Sequence, residues 1–128
     1  EARAAGGVAE RLDVRGADPR GPASHLSGGN QQKALFGKWL LREPRVLLVD
    51  EPTRGVDVAA KAEIHRLLVE LAAGGMAVVL VSAETDEVLG LSHRVHVLRG
   101  GRIAGTFERG AVSREQVLAV AFAGPEEG

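Results

Sequence analysis

The chain has no cysteine, no tyrosine, one tryptophan and three phenylalanines among 128 residues. Without cysteine there is no disulfide framework and no thiolate chemistry, which is compatible with a reducing compartment. Aromatics make up 3% of the chain but apolar residues 45%, so any core must be built from Val, Leu, Ile and Ala. An excess of one charge is also missing. The formal net charge is −1 and Arg/Lys are interleaved with Asp/Glu, leaving no basic face of the kind nucleic acid demands. The longest apolar runs, near Val46–Val49 and Met76–Val81, are far too short to cross a bilayer. No signal peptide opens the chain, and Glu1 is not a start methionine. The chain is therefore expected to begin within a longer protein, as one small domain or a fragment of a larger one.

What is present alternates between strand and helix signals. Residues 1–12 are Ala-rich and helix-compatible, and residues 14–25, with Gly16, Pro19, Gly21 and Pro22, read as a loop. Ser27 stands at an N-cap position, predicting a helix over 28–41 that stops before Pro44. Val46–Val49 reads as a strand buried on both faces. Ile64, Leu67, Leu68 and Leu71 recur at helical spacing within 57–73, and Gly74-Gly75 ends that helix. A second apolar strand follows at Met76–Val81, then a short helix at 84–90. Val95 and Val97 begin an alternating strand, Gly100-Gly101 turns it, and Ile103 to Phe107 return. Ser113 with Gln116 is a capping-box pattern opening a last helix. Alternation with buried strands predicts an α/β unit with a parallel sheet.

Two stretches carry chemistry. The first is Leu26-Ser27-Gly28-Gly29-Asn30-Gln31-Gln32-Lys33. A helix N-terminus offers unpaired N–H groups and a partial positive charge. Two glycines let the backbone approach an anion closely, and the Ser27 hydroxyl can donate one more hydrogen bond. The second is Asp50-Glu51-Pro52-Thr53, directly after an apolar run. Parallel sheets present acidic groups in this way at their carboxyl edge. An Asp there can hold Mg²⁺ through water, and a neighbouring Glu can orient or deprotonate an attacking water.

Leu26–Lys33 resembles the signature motif of the ATP-binding cassette (ABC) ATPases, Arg45–Glu51 their Walker B strand, and Gly55-Val56-Asp57 their D-loop. The fuller wording, Asp50-Glu51-Pro52-Thr53-Arg54-Gly55-Val56-Asp57 after that signature, resembles the C-terminal cassette of tandem ATPases driving bacterial sugar importers of the ribose/galactose/xylose type. The resemblance runs from about residue 20 to residue 122. It implies an α/β fold: part of a P-loop NTPase (RecA-like) core with parallel strands over 42–122. The end of the helical signature subdomain would occupy 1–41, and a flexible tail 123–128. It implies ATP and Mg²⁺ as cofactors and an ATPase coupled to carbohydrate uptake. Ser27, Gly28 and Gly29, with Gln31, would bind the γ-phosphate held by an opposite cassette. Asp57 would cross the interface, Asp50 would hold Mg²⁺ through water, and Glu51 would be catalytic. Implied partners are a second cassette, membrane permease subunits and, indirectly, a substrate-binding protein, with no nucleic acid. The implied location is peripheral, at the cytoplasmic face of the plasma (inner) membrane.

Two departures qualify that pattern. No Gly-x-x-x-x-Gly-Lys-Ser/Thr phosphate loop occurs in these residues; the only Gly-Lys pair, Gly37-Lys38, is followed by Trp39. The family's usual switch histidine falls on Ala83, which can neither donate to a phosphate nor relay a proton. Resembling C-terminal cassettes often lack that histidine too. Without upstream strands, the two apolar strands are expected to leave open edges.

Other residues point less sharply. His25, His65, His93 and His96 form no metal-ligand pattern. Glu84, Asp86 and Glu87 suit a helix start, Arg54 and Lys61 flank the D-loop stretch, and Trp39 reads as packing. The alternatives are a soluble ABC ATPase acting on nucleic acid or ribosomes, or a non-enzymatic truncated cassette. Against the former, translation-factor wording after Pro-Thr is Asn-His-Leu-Asp, whereas this chain has Arg54-Gly55-Val56-Asp57.

Overall fold

The computed structural model describes residues 12–14 and 21–124. The helix expected over residues 1–12 lies almost wholly outside them, as do much of the loop expected at 14–25 and the end of the expected tail. The chain divides into two compact units, Glu1–Val79 and Leu80–Gly128.

In the first unit a 3₁₀ turn, Ala23–His25, leads into helix α1, Gly28–Leu40. Ser27 starts it as the sequence predicts: its backbone is extended and its hydroxyl accepts from the Asn30 N–H. The helix stops at Leu41, with Glu43 in a left-handed conformation just before Pro44. Strand β1, Val46–Asp50, follows, then a turn and helix α2, Val58–Ala73. Asp57 caps α2 by accepting from the Ala60 N–H at 2.8 Å. At its end Gly75, at φ +96, takes the left-handed backbone that an L side chain resists.

Strand β2, Ala77–Val81, returns beside β1. The Ala77 N–H donates to the Arg45 carbonyl at 3.0 Å. The start of one strand thus lies beside the start of the other, so the pair is parallel, joined by a helical crossover. The expectation that β1 is buried on both faces does not hold. Leu47 and Val49 are buried, but Val46 and Leu48 are 54% and 74% exposed. Val79 and Val81 on β2 are also about half exposed. An unbroken apolar run encodes cover on both sides, whereas among the described residues this sheet has two strands and one uncovered face.

The second unit holds helix α3, Thr85–Leu91, an antiparallel hairpin of β3, Arg94–Arg99, and β4, Arg102–Glu108, and helix α4, Arg114–Phe122. Gly100 and Gly101 turn the hairpin, both at positive φ. The register runs Val95↔Phe107 and Val97↔Gly105, then slips to Leu98↔Ile103, so Ala104 is the extra residue of a bulge. Val95, Val97 and Val117 form the buried centre, flanked by Val88, Leu89, Phe107 and Val120. Gly105 leaves the room that Phe107 and Val120 fill: a Cβ there would lie 3.0–3.2 Å from their side chains. The predicted capping box at Ser113 and Gln116 is present in full.

Candidate functional site

The caps of α1 and α2 meet at one place. Ser27, Gly29, Asn30, Lys33, Asp57, Ala59, Ala60 and Glu63 line an open cleft of about 150 Å³. The structure therefore brings together Ser27, Gly29 and Asp57, which the sequence singled out from motifs some thirty residues apart. Gly28 lies against the D-loop stretch: a Cβ on it would sit 3.8 Å from the Gly55 carbonyl oxygen. Gly55 itself, at φ +74, needs to be a glycine to make that turn.

The Ser27 hydroxyl oxygen accepts from the Asn30 side-chain amide at 3.0 Å and from the Asn30 N–H at 3.4 Å. A hydroxyl has two acceptor sites and one donor. Both bonds use the oxygen as acceptor, so neither spends its O–H donor, and the hydroxyl stands at the positive end of α1. Gln31 is turned differently. Its side-chain amide donates to the Leu26 carbonyl at 2.9 Å, which fixes the turn entering the signature helix.

Gly29 has a role beyond close approach to an anion. It is buried, and a Cβ on it would lie 2.4 Å from the Ala60 Cβ. The glycine is therefore required where α1 presses on α2. Sequence reasoning also missed Lys33 and Glu63. Lys33 is 5% exposed; its ammonium donates to the Asp13 carbonyl at 3.2 Å and is ion-paired with Glu63. A lysine is rarely this buried unless paired. Its place at the end of the signature string gave only a weak hint, because its partner lies on another helix.

The acidic pair lies where β1 ends. Asp50 is exposed, and Glu51 is half-buried at φ 46, a left-handed backbone that is uncommon outside glycine. Its carbonyl accepts from the Arg54 N–H at 3.2 Å, closing a turn over Pro52 and Thr53, both of which are buried. The buried turn holds Glu51 at the strand's carboxyl end. Strained residues of this kind collect at functional sites, although Asp13 and Glu43 share the conformation. Among the described residues no cluster of three His, Cys, Asp or Glu forms a cage for a metal. A lone exposed carboxylate such as Asp50 fits Mg²⁺ held through its water shell, the ion's other contacts coming from substrate phosphates.

Ala83, in the second unit, is exposed between β2 and α3. The neighbouring Ser82 hydroxyl accepts from the Glu84 N–H at 3.0 Å. Trp39 departs from its expected packing role. It is 54% exposed, with the Lys38 ammonium 5.4 Å from its ring centre, because position 39 falls on the outer side of α1.

Residues 3–54 match the family model described as ABC transporter. The chain is 51% identical over 124 residues to a ribose import ATP-binding protein of Chromobacterium violaceum, covering 97% of this chain and 25% of that protein. It is 53% identical over 116 residues to a xylose import ATP-binding protein of Pseudomonas fluorescens, covering 91% and 22%. Among solved structures, an ATP-binding cassette of an ABC transporter in its ADP conformation superposes with a TM-score of 0.74 at 25% identity, covering 93% of this chain and 45% of that one. The chain thus spans about a quarter of the length of the curated relatives it matches.

Proposed function

We propose that this chain is part of an ABC transporter ATP-binding cassette, the stretch from the signature motif onward, in a protein that powers carbohydrate import. The observation that carries the reading is the open cleft that Ser27 and Asp57 share, formed where two helix caps meet. The similarity to ribose and xylose import ATP-binding proteins supports the choice of cargo class. In this reading residues 1–41 end the helical signature subdomain, 42–122 belong to the nucleotide-binding core, and 123–128 form the tail.

The Ser27 O–H and the N–H groups at Gly28 and Gly29 bind the γ-phosphate of ATP gripped by a second cassette. Gln31 supports them by fixing the turn through the Leu26 carbonyl. Asp57, on the same cleft, faces that cassette and links its site to this one. On this cassette's own nucleotide, Asp50 orients the water shell of Mg²⁺, and Glu51 orients or deprotonates the attacking water. Mg²⁺, when bound, neutralises charge on the phosphates. Ala83 stands where the resembled family usually has a histidine and can neither donate to a phosphate nor relay a proton, and that substitution in the sequence motivates slow turnover at this second site. Membrane permease subunits hold the assembly peripherally at the cytoplasmic face, and a substrate-binding protein is an indirect partner that delivers sugar to the permease. No helix among the described residues is long and apolar enough to cross a membrane itself.

The test is Glu51→Gln in the full-length protein assembled with its permease. Turnover should fall less than with the equivalent substitution in the other cassette. An equal or larger loss would overturn the assignment of Glu51 to a weak second site, and sugar uptake without nucleotide hydrolysis would overturn the reading as a whole.

A further inference from the structure

We propose that Lys33 and Glu63 are positioning residues: a buried latch that fixes α1 against α2, so that Ser27 and Asp57 form one rigid binding edge. The proposal deepens the ATPase reading above and rests on it for its catalytic readout.

The argument is geometric. Lys33 lies six residues after the cap Ser27, and Glu63 six residues after the cap Asp57. The two helices touch at Gly29 and Ala60 in their first turns, and again at Lys33 and Glu63 about one turn further on. One contact would let α1 pivot on α2. Two contacts, a helical turn apart, fix both the spacing and the rotation. The first contact is steric, since a glycine meets an alanine with no room for another methyl group. The second is ionic and largely out of water: the side chains of Lys33 and Glu63 are 7% and 31% exposed. A third bond, from the Lys33 ammonium to the Asp13 carbonyl, ties the same point to the chain upstream of α1.

A buried ion pair contributes little net stability compared with well-packed apolar residues, while this one ties a fixed position on α1 to a fixed position on α2. That makes position, rather than stability, the function to test here. All four groups line the cleft that holds both caps. A shift of α1 on α2 therefore moves the Ser27 hydroxyl relative to the Asp57 carboxylate. A misplacement near 1 Å at such an edge costs up to about a hundredfold in rate.

The test is the double substitution Lys33→Met/Glu63→Leu in the full-length protein with its permease, which keeps volume and removes both charges. The expected result is an unfolding midpoint at or above wild type, a KM for ATP within about twofold and a kcat lowered about tenfold or more. Nitroxide labels on the exposed Lys38 of α1 and Arg66 of α2 give a second readout that needs no nucleotide. The distance distribution between them should be narrow in the parent and broadened in the double variant. Unchanged kcat, or an unchanged distribution, overturns the proposal. If the parent protein hydrolyses no ATP, the ATPase reading fails, and the label distances alone decide whether the latch exists. If the double variant does not fold, Glu63→Gln replaces it with the same expected split and the same refuting results.

Discussion

Replacing Gly29 by alanine puts a methyl group where there is no room for one. Its Cβ would lie 2.4 Å from the Ala60 Cβ, against about 3.5–4.0 Å for relaxed carbon contact. The helices must separate by about 1 Å, or the side chains must strain. Overpacking of this kind costs roughly 1–3 kcal/mol. The helix preference for alanine over glycine returns about 1 kcal/mol, leaving a net loss of up to about 2 kcal/mol. In a domain of this size that is up to about 8 °C in melting temperature. The reciprocal change, Ala60→Gly, is itself worth about 1 kcal/mol of lost helix propensity. Together the two changes relieve the clash, because the new methyl group then faces the position-60 Cα at 3.7 Å, an ordinary contact. Urea unfolding of the parent, both single variants and the double variant therefore gives a thermodynamic cycle with a favourable coupling of about 1–3 kcal/mol, the size of the relieved clash. Simple additivity in that cycle would refute the close approach of α1 and α2 on which the site depends.

Three further outcomes follow from the same geometry. Ser113→Ala removes the serine half of the α4 capping box, the 3.3 Å bond from the Gln116 N–H to the hydroxyl, and leaves the 2.8 Å bond from the position-113 N–H to the Gln116 side chain. It should cost about 1 kcal/mol, read by chemical denaturation; no measurable loss would show that the box is not formed. The Glu115 carboxyl is held below its ordinary value by its own backbone N–H, then by the Ser113 hydroxyl and the Arg114 charge. Its depressed folded value means that its help to the start of α4 is fully present above the ordinary carboxylate range. That help is lost as pH falls through the folded value. A carboxyl-carbon NMR titration should find its midpoint below that of a free glutamate, and a midpoint at or above it contradicts the assignment. Titration of Mg-ATP into the 128-residue chain alone should show no micromolar binding, since these residues contain no phosphate loop; tight binding would refute the division of labour between cassettes.

The parts of this molecule legible in its sequence are those set by local hydrogen bonding. Ser27, Asp57 and Ser113 each begin a helix because a short oxygen-bearing side chain reaches the N–H three residues on. Gly100 and Gly101 turn the hairpin because both backbone positions have positive φ. The motif wording at 26–33 and 50–57 also carries the likeness to ABC ATPases without reference to structure. What stayed illegible depends on residues far apart in the chain. The burial of Lys33 needs Glu63 on another helix and the Asp13 carbonyl. Gly29 looked like an anion-approach residue, and only the position of Ala60 reveals its packing role. The exposed side of β1 was misread because an apolar run records the cover a strand is built for, and Leu48 lacks that cover here. The left-handed backbone of Glu51 has no sequence signal, since nothing about Glu favours it.

The central claim is that Ser27 serves a nucleotide held by the opposite cassette. Ser27→Asp in the full-length protein tests it most directly. Aspartate caps a helix as well as serine does, so α1 keeps its start, but it sets a carboxylate against the incoming γ-phosphate, a like-charge contact costing several kcal/mol. Photolabelling of this cassette with an azido-ATP should stay at the parent level while turnover falls by at least about tenfold. Parent-level turnover, or loss of this cassette's own labelling in step with turnover, would contradict the claim.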